Sequence, residues 1–354
     1  MASASRTTKQ WILAAKPTGA PVLSGPDATF KLQTATLPPL QEGQLLCRVR
    51  YFSNDTGQRN FIQTTVAPHR SYVPPVPVGS PMRSGLIAEV LESESPSHKP
   101  GDLVMDFHLG TWSELVVLDA ATAQALAPLP GGLPLTHYLG VFGASGLAAY
   151  TGLKYAGGVK KGDTVVVSAA AGATGSVAVQ VAKRLLGAGR VVGVAGSDAK
   201  CAWVREALGA DACVNYKSGT FEDDLKEATA GDVDVYFDSV GGAVLDTVLP
   251  RMKKGGTVAV CGAVGEYNSA EPMALRNWFE VVSMRITIRG FIMLDYLDRA
   301  PEILGELIGA AADGRIKLEG GETVVEARIE EQPKVWMRLF SGANQGKLLT
   351  KLIV

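Results

Sequence analysis

Thr164-Val165-Val166-Val167-Ser168-Ala169-Ala170-Ala171-Gly172-Ala173-Thr174-Gly175-Ser176 decides the fold of this chain. A continuous β-branched run is what a strand covered on both faces needs, as in a parallel sheet. The glycine turn after it lets a phosphate approach backbone N–H groups at the start of the following helix. Against G-x-G-x-x-G the chain offers Ala170, Gly172 and Gly175, with alanine in the first glycine's place. Small-residue turns of this kind also occur in α/β cores that bind nothing. Here the turn lies between Thr164–Val167 and a second apolar run, Arg190-Val191-Val192-Gly193-Val194, and Val177, Val181 and Leu185 share one face of a helix reaching about Leu186. That context predicts a dinucleotide site.

The end of the second strand selects the dinucleotide. An enzyme that prefers NAD usually places Asp or Glu there to accept from the ribose hydroxyls. This chain has Ala195 and Gly196, which leave room for a 2′-phosphate. Ser197 can donate to it and Lys200 can supply charge, so the cofactor expected is NADP(H). Asp198 argues the other way, although it lies past the strand end and could equally cap the next helix.

After Pro128-Leu129-Pro130 the texture becomes alternating helix and strand. Gly140 to Lys154 reads as a small-residue helix. Further parallel strands are expected at Ala212–Val214, Asp234–Phe237, Thr257–Val260 and Ile286–Ile288, completing a doubly wound sheet of six. The first 130 or so residues read instead as short strands and turns, with candidates at Gln44–Arg50, Gly85–Leu91, Leu103–Met105 and Trp112–Val117 and a proline-dense stretch at Pro74-Pro75-Val76-Pro77. That texture suits an irregular, mostly antiparallel barrel whose loops wall a substrate cleft. Another strand is expected at Glu322–Glu326.

A chain of 354 residues, 46% hydrophobic and 19% charged with net charge −1, reads as two globular domains. Near-neutrality gives no electrostatic reason to expect nucleic acid or an anionic membrane as partner. The first ten residues show no secretory h-region, and the apolar stretch at 165–182 is interrupted by Ser, Gly, Thr and Gln. Cys47, Cys201, Cys213 and Cys261 are scattered without C-x-x-C spacing, which suits a reducing cytoplasm and no zinc lobe.

Several stretches together resemble the zinc-independent branch of the medium-chain dehydrogenase/reductase family, as seen in prostaglandin reductase, alkenal double-bond reductases and curcumin reductase. They are Val165–Ser176, Gly196-Ser-Asp-Ala-Lys200, Asn215-Tyr-Lys217, Phe237-Asp-Ser-Val-Gly-Gly242, Cys261-Gly-Ala263, Tyr267-Asn268, Arg289-Gly-Phe291 and Ser341-Gly-Ala-Asn-Gln-Gly-Lys347. The resemblance implies an α/β fold in which a Rossmann doubly wound parallel sheet, residues 134–314, is inserted into a GroES-like β-barrel substrate domain, residues 1–133 and 315–354. It implies that Lys200 and Tyr216 hold the 2′-phosphate beside Gly196 and Ser197, and that Gly172, Ala173, Thr174 and Gly175 face the pyrophosphate. By position it also adds Asn54, Ser239, Cys261, Ala263, Phe291, Met293 and Asn344 as cofactor contacts. Tyr267 corresponds to a tyrosine proposed as proton or hydrogen-bond donor. A homodimer is implied, with the sheets pairing near Ile286–Ile288.

The chain departs from the family at two places. Asp55-Thr-Gly-Gln-Arg59 stands where these reductases carry Asp-Pro-Tyr-Met-Arg, and Gly143-Ala-Ser-Gly146 replaces Gly-Met-Thr-Gly. Gly57 and Ala144 are therefore expected to enlarge the substrate pocket next to Tyr267, unless Phe61 or Tyr72 fills the vacancy. The expected reaction is NADPH-dependent reduction of the C=C bond of an α,β-unsaturated ketone or aldehyde. Alternatives are a quinone oxidoreductase, a biosynthetic enoyl reductase and a non-catalytic NADPH-binding protein. A zinc alcohol dehydrogenase is disfavoured: no Gly-His-Glu triplet occurs, and His69, His98, His108 and His137 are scattered.

Overall fold

The valine run lies in a six-stranded sheet with Val165, Val166 and Val167 fully buried, as expected of a strand covered on both faces. The computed structural model describes residues 6–64, 66–107, 110–269, 271 and 273–353, so His108 and the first five residues lie outside it. The strands run in the order Ala212–Asn215, Arg190–Ala195, Thr164–Val167, Val233–Asp238, Met252–Val260, Thr287–Gly290, and every pairing is parallel. The order reverses between Thr164–Val167 and Val233–Asp238, the place where open α/β sheets leave a crevice at their carboxyl ends.

Several boundaries differ from the expectation. The fifth strand begins at Met252, because Lys253–Gly256 bulge out between two registers with Val233–Asp238. The last strand starts at Thr287, leaving Ile286 buried just before it. Gly140–Lys154 is not one helix: Leu135–Leu139 is a 3-10 turn, Ala144–Thr151 is α-helical and Gly152–Gly157 winds as a π turn. The helix after the glycine turn behaves alike, α over Ala173–Gln180 and π over Val181–Leu185.

The chain divides into two compact units. One holds the chain up to Leu139 with Val324–Ala343 and the end from Leu348; the other holds Gly140–Thr323 with Asn344–Lys347. The first unit contains a seven-stranded sheet ordered Glu322–Ala327, Lys347–Leu352, Gln44–Asn54, Leu86–Ser93, Leu103–Asp106, Gln124–Ala125, with Leu115–Asp119 also paired to Gln44–Asn54. A separate antiparallel pair, Thr7–Leu13 with Phe30–Thr36, completes its strands. Its core is aromatic. Trp112 lies 5.2 Å from Phe30 and 5.6 Å from Trp336, ring centre to ring centre. Trp336 comes from the late helix Gln332–Ser341 and donates its Nε1–H to Asp55 O at 2.9 Å. Burying so large a ring supplies a few kcal/mol, enough to hold the chain's end to its beginning.

Within the glycine turn the fit is tight. A Cβ at Gly175 would stand 2.1 Å from Ala169 O, so any side chain there forces helix and turn apart. Ala169 itself has φ +46°, the left-handed region that favours glycine. Gly175→Ala is therefore expected to lower the unfolding free energy by about 1–3 kcal/mol through overpacking. Ala169→Gly relieves the backbone and is expected to raise it by about 0.5–1 kcal/mol after the extra chain entropy is subtracted. Opposite shifts of the urea midpoint for the two variants check this reading.

Candidate active site

At the carboxyl edge of the six-stranded sheet, the strand Thr164–Val167 runs into Ser168 and the turn, and Gly172 is the residue before the helix Ala173–Gln180. No side chain caps this helix. The N–H groups of Ala173, Thr174 and Gly175 belong to its first turn, which has no intrahelical acceptors. Partial positive charge and open donors make it a fit for a diphosphate. Gly346 N–H donates to Ala171 O at 2.8 Å and forms a parallel bridge with Gly172; Asn344 Nδ2 donates to Gly346 O at 2.9 Å. The tail segment is thus tied to the turn, with Asn344 beside it.

Across the crevice, Asp238 ends its strand fully buried. Its Oδ1 accepts from Ser168 Oγ at 3.2 Å, Tyr236 Oη at 2.8 Å, Val240 N at 2.9 Å and Gly241 N at 3.0 Å. Ser168 Oγ in turn accepts from Ser239 N at 2.8 Å. Burial first, then the Asp238 charge, pushes the Tyr236 phenol well up, so it remains a donor. This network fixes the turn 239–241 against the glycine turn. Asp238 Oδ2 is nonetheless buried without a hydrogen-bond partner, and Ser239 Oγ has only the weakly bonding Cys261 thiol beside it. An orphaned buried polar atom is costly, and here it marks where a polar ligand fits. The sequence reading named Ser239 and omitted Ser168 and Asp238, although a carboxylate closing an apolar strand is a visible signal.

On the next strand, Cys261 N–H donates to Asp238 O at 2.7 Å. Desolvation raises the Cys261 thiol to about 12. Ala263 N–H donates to the Tyr267 phenol oxygen at 3.4 Å, and that oxygen lies over Gly262, 2.8 Å from where a Cβ would be. Phe291 follows the last strand, its N–H donating to Val260 O at 3.3 Å and its ring 6.1 Å from that of Phe237. Met293 opens the 3-10 turn Met293–Arg299. Ser239, Cys261, Ala263, Tyr267, Phe291 and Met293 therefore share one edge of the sheet.

The second corner sits at the end of Arg190–Ala195. Ser197 caps the helix Asp198–Glu206, its Oγ accepting from Lys200 N at 3.3 Å. Asp198 is thus the first helical residue and not the cap; Asn215 Nδ2 donates to its Oδ1 at 2.8 Å. Tyr216, 43% exposed, lies over Gly196, whose Cβ would meet its Cε1 at 3.0 Å. A larger residue at 196 would displace that ring. Burial, and second the charge of Lys217, hold the Lys200 ammonium below the ordinary lysine range.

Three expected residues stand elsewhere. Asn54 and Gly57 belong to the barrel unit. The Asn54 amide is engaged there, donating to Thr350 Oγ1 at 3.0 Å and accepting from Gln332 Nε2 at 2.9 Å. A Cβ at Gly57 would meet only Tyr72 Oη, at 3.7 Å, so Tyr72 borders the vacancy; Phe61 instead packs under the Arg83 guanidinium at 5.2 Å. Ala144, half-buried, begins the helix Ala144–Thr151 of the nucleotide unit.

Lys200→Ala is expected to weaken NADPH by about 1.5–3 kcal/mol, the scale of a charge-assisted hydrogen bond, and to leave NADH nearly unchanged. Because the Lys200 ammonium is held low, preference for NADPH is present at neutral pH and fades as pH rises through that lowered pKa. Fluorescence titration of both cofactors against pH, with wild type and variant, checks the two statements together.

Two family models match the chain, one described as a zinc-binding dehydrogenase over residues 173–308 and one as the N-terminal domain of oxidoreductase over residues 9–126. The NADPH-dependent curcumin reductase of Escherichia coli (strain K12) is 32% identical over 361 residues, covering 99% of both chains. Prostaglandin reductase 1 of Bos taurus is 34% identical over 346 residues, covering 97% of this chain and 98% of its own. The crystal structure of CurA from Vibrio vulnificus in complex with NADPH matches with a TM-score of 0.85 at 30% identity, over 98% of this chain and 99% of that one. Among the described residues, no group of three or more His, Cys, Asp or Glu is placed to hold a metal ion. Identity above 30% along essentially the whole chain settles the matter: the protein belongs to the medium-chain dehydrogenase/reductase family, in its zinc-independent branch.

Proposed function

We propose that this NADP-dependent oxidoreductase reduces the C=C bond of an α,β-unsaturated ketone or aldehyde. The observation that carries the reading is the Tyr267 phenol, held over Gly262 on the same sheet edge as the glycine turn and the unpartnered Asp238 Oδ2. Likeness to a curcumin reductase and a prostaglandin reductase supports it. Bound NADPH supplies the hydride that adds to the β-carbon, and a proton from Tyr267 or from water completes the reduction at the α-carbon.

The chain's own residues do the rest. The first-turn N–H groups at Ala173–Gly175 receive the diphosphate, while Ser197, Lys200 and Tyr216 receive the 2′-phosphate. Ser239, Cys261, Ala263, Phe291, Met293 and Asn344 line the nicotinamide half. Asn54 is left out, since its amide is engaged within the barrel unit. As negative charge builds on the carbonyl oxygen, a positioned donor stabilises it most. Tyr267 suits that role: the N–H of Ala263 polarises its oxygen and strengthens the phenol as a donor. The raised Cys261 thiol stays neutral, which protects the site from alkylation by its own electrophilic substrate.

Gly57 and Ala144 are assigned to substrate selection. NADPH oxidation over one small enal, one bulky aryl enone and one quinone tests both roles. Tyr267→Phe is expected to lower kcat about 10- to 100-fold on the enones with NADPH affinity unchanged. Gly57→Tyr is expected to shift kcat/KM toward the small enal by about 1–3 kcal/mol. A quinone-only profile, or an unaltered selectivity ratio in Gly57→Tyr, contradicts the corresponding assignment.

A cytoplasmic homodimer completes the proposal. Cys47, Cys201, Cys213 and Cys261 are all free thiols, which suits a reducing compartment. The strand Thr287–Gly290 ends the sheet, bonded among the described residues to Met252–Val260 alone, and Trp278, Phe279 and Val282, shortly before it in the chain, are 51%, 73% and 61% exposed. An open edge flanked by apolar side chains is a surface that a second copy covers well. Light scattering is expected to give twice the 37.2 kDa chain mass, and Phe279→Glu to shift it toward the monomer.

A further inference from the structure

The carboxyl ends of Arg190–Ala195 and Ala212–Asn215 gather more charge than Lys200 alone. Asn215 makes two bonds there. Its Nδ2 donates to Asp198 Oδ1 at 2.8 Å, and its Oδ1 accepts the Lys217 N–H at 3.1 Å. The first bond holds the Asp198 carboxylate on the strand end, restraining the position of an acid that would otherwise be free to turn toward a phosphate. The second closes a turn that sets the direction in which Lys217 leaves the backbone. Lys217 Nζ then stands 5.7 Å from the centre of the Tyr216 ring, the ring that covers Gly196.

A solvated cation resting on an aromatic face is the bland account of that contact, worth about 0.5–1 kcal/mol. It leaves a second fact unexplained. The Lys217 charge reaches Lys200 and opposes its ionisation, so two ammonium groups are concentrated on one corner. Like charges held together are unfavourable until an anion joins them. A 2′-phosphate carries close to two negative charges where the ribose of NADH carries a neutral hydroxyl.

We propose that Lys217 is the second cation of the 2′-phosphate subsite, and that Asn215, holding both the Lys217 N–H and the Asp198 carboxylate, is its positioning residue. The proposal rests on the reading of Lys200 and Tyr216 as ligands of that phosphate. Selection of NADPH then comes from a pair of lysines plus a restrained acid, as well as from the room at Ala195 and Gly196.

The test is titration of the full-length protein with NADPH and with NADH at several salt concentrations, for wild type and the variants Lys200→Ala, Lys217→Ala, Lys217→Arg, Asn215→Ala and Asn215→Ala/Lys217→Ala. Lys217 is exposed, so its variants are expected to fold as the wild type does. Lys217→Ala is expected to weaken NADPH about five- to twenty-fold, a partly screened charge contact, with NADH within about two-fold. The salt dependence of NADPH binding becomes shallower, and Lys217→Arg retains most of the affinity. Asn215→Ala weakens NADPH in the wild-type background and weakens it less once Lys217 is gone, the remainder coming from the released Asp198 carboxylate, with NADH binding unchanged in both backgrounds, which a merely structural role would not produce. If Lys200→Ala weakens NADPH selectively while Lys217→Ala leaves it unchanged, the inference is overturned and the subsite reading stands. Equal loss of NADH and NADPH in Lys217→Ala overturns it as well. If neither lysine matters, the subsite reading falls and takes the inference with it.

Discussion

The contact between Gly175 and the Ala169 carbonyl governs the nucleotide unit. With no Cβ at 175, the helix Ala173–Gln180 lies directly on the turn, and its first N–H groups face the crevice where the strand order reverses. The left-handed Ala169 is the conformational consequence of that closeness. Strain of this kind persists only when its surroundings over-determine it. Val165–Val167 beneath and the Gly346–Ala171 bond beside it do so. The same bond fastens the Asn344 segment, so one short turn, Ala169–Gly172, holds both the open N–H groups of the helix and the tail.

Asp238 does for the opposite side of the crevice what Gly175 does for the first. One carboxylate oxygen gathers four donors and locks the turn 239–241, while the other is left buried and unpartnered. An unsatisfied buried polar atom costs about 1–3 kcal/mol. A fold selected for stability alone would have paired or removed it. Its place at the carboxyl edge, near Cys261 and the Tyr267 loop, suits a polar ligand there.

Legibility in the sequence followed range. All six parallel strands were readable as short apolar runs, most clearly where they are buried on both faces and least so at the exposed edge strand Thr287–Gly290; the small residues Ala195 and Gly196 and the following Lys200, read as a 2′-phosphate corner, do stand together at the end of Arg190–Ala195. The residues themselves did not tie the last strand to the first domain. Lys347–Leu352 pairs with Gln44–Asn54 across some three hundred residues, and the helix that follows Glu322–Ala327 inserts Trp336 among Phe30 and Trp112. Only resemblance joined them. Thr7–Leu13 and Phe30–Thr36 were missed because Thr, Lys and Gln dilute their alternation. The π turns at Gly152–Gly157 and Val181–Leu185 have no local signature, since their extra residue is accommodated by packing. At Gly57 the sequence showed a missing side chain; that Tyr72 borders the vacancy could be learned only from the fold.

The two corners of the nucleotide unit use opposite electrostatic designs, and the contrast explains how one sheet edge can select a cofactor and still serve chemistry. Near Asp238 the groups are desolvated and neutral donors or thiols: the Tyr236 phenol and the Cys261 thiol are both raised, so neither becomes an anion beside a hydride donor. Near Lys200 the groups are partly exposed and cationic, with Asp198 tied to Asn215. Exposed charges are screened over about 8–10 Å in salt, so on the proposed reading the cationic corner acts locally on a phosphate without biasing the reacting end. Selection by charge is then confined to the adenosine half, and catalysis by placed hydrogen bonds to the dry half, where each bond is worth more.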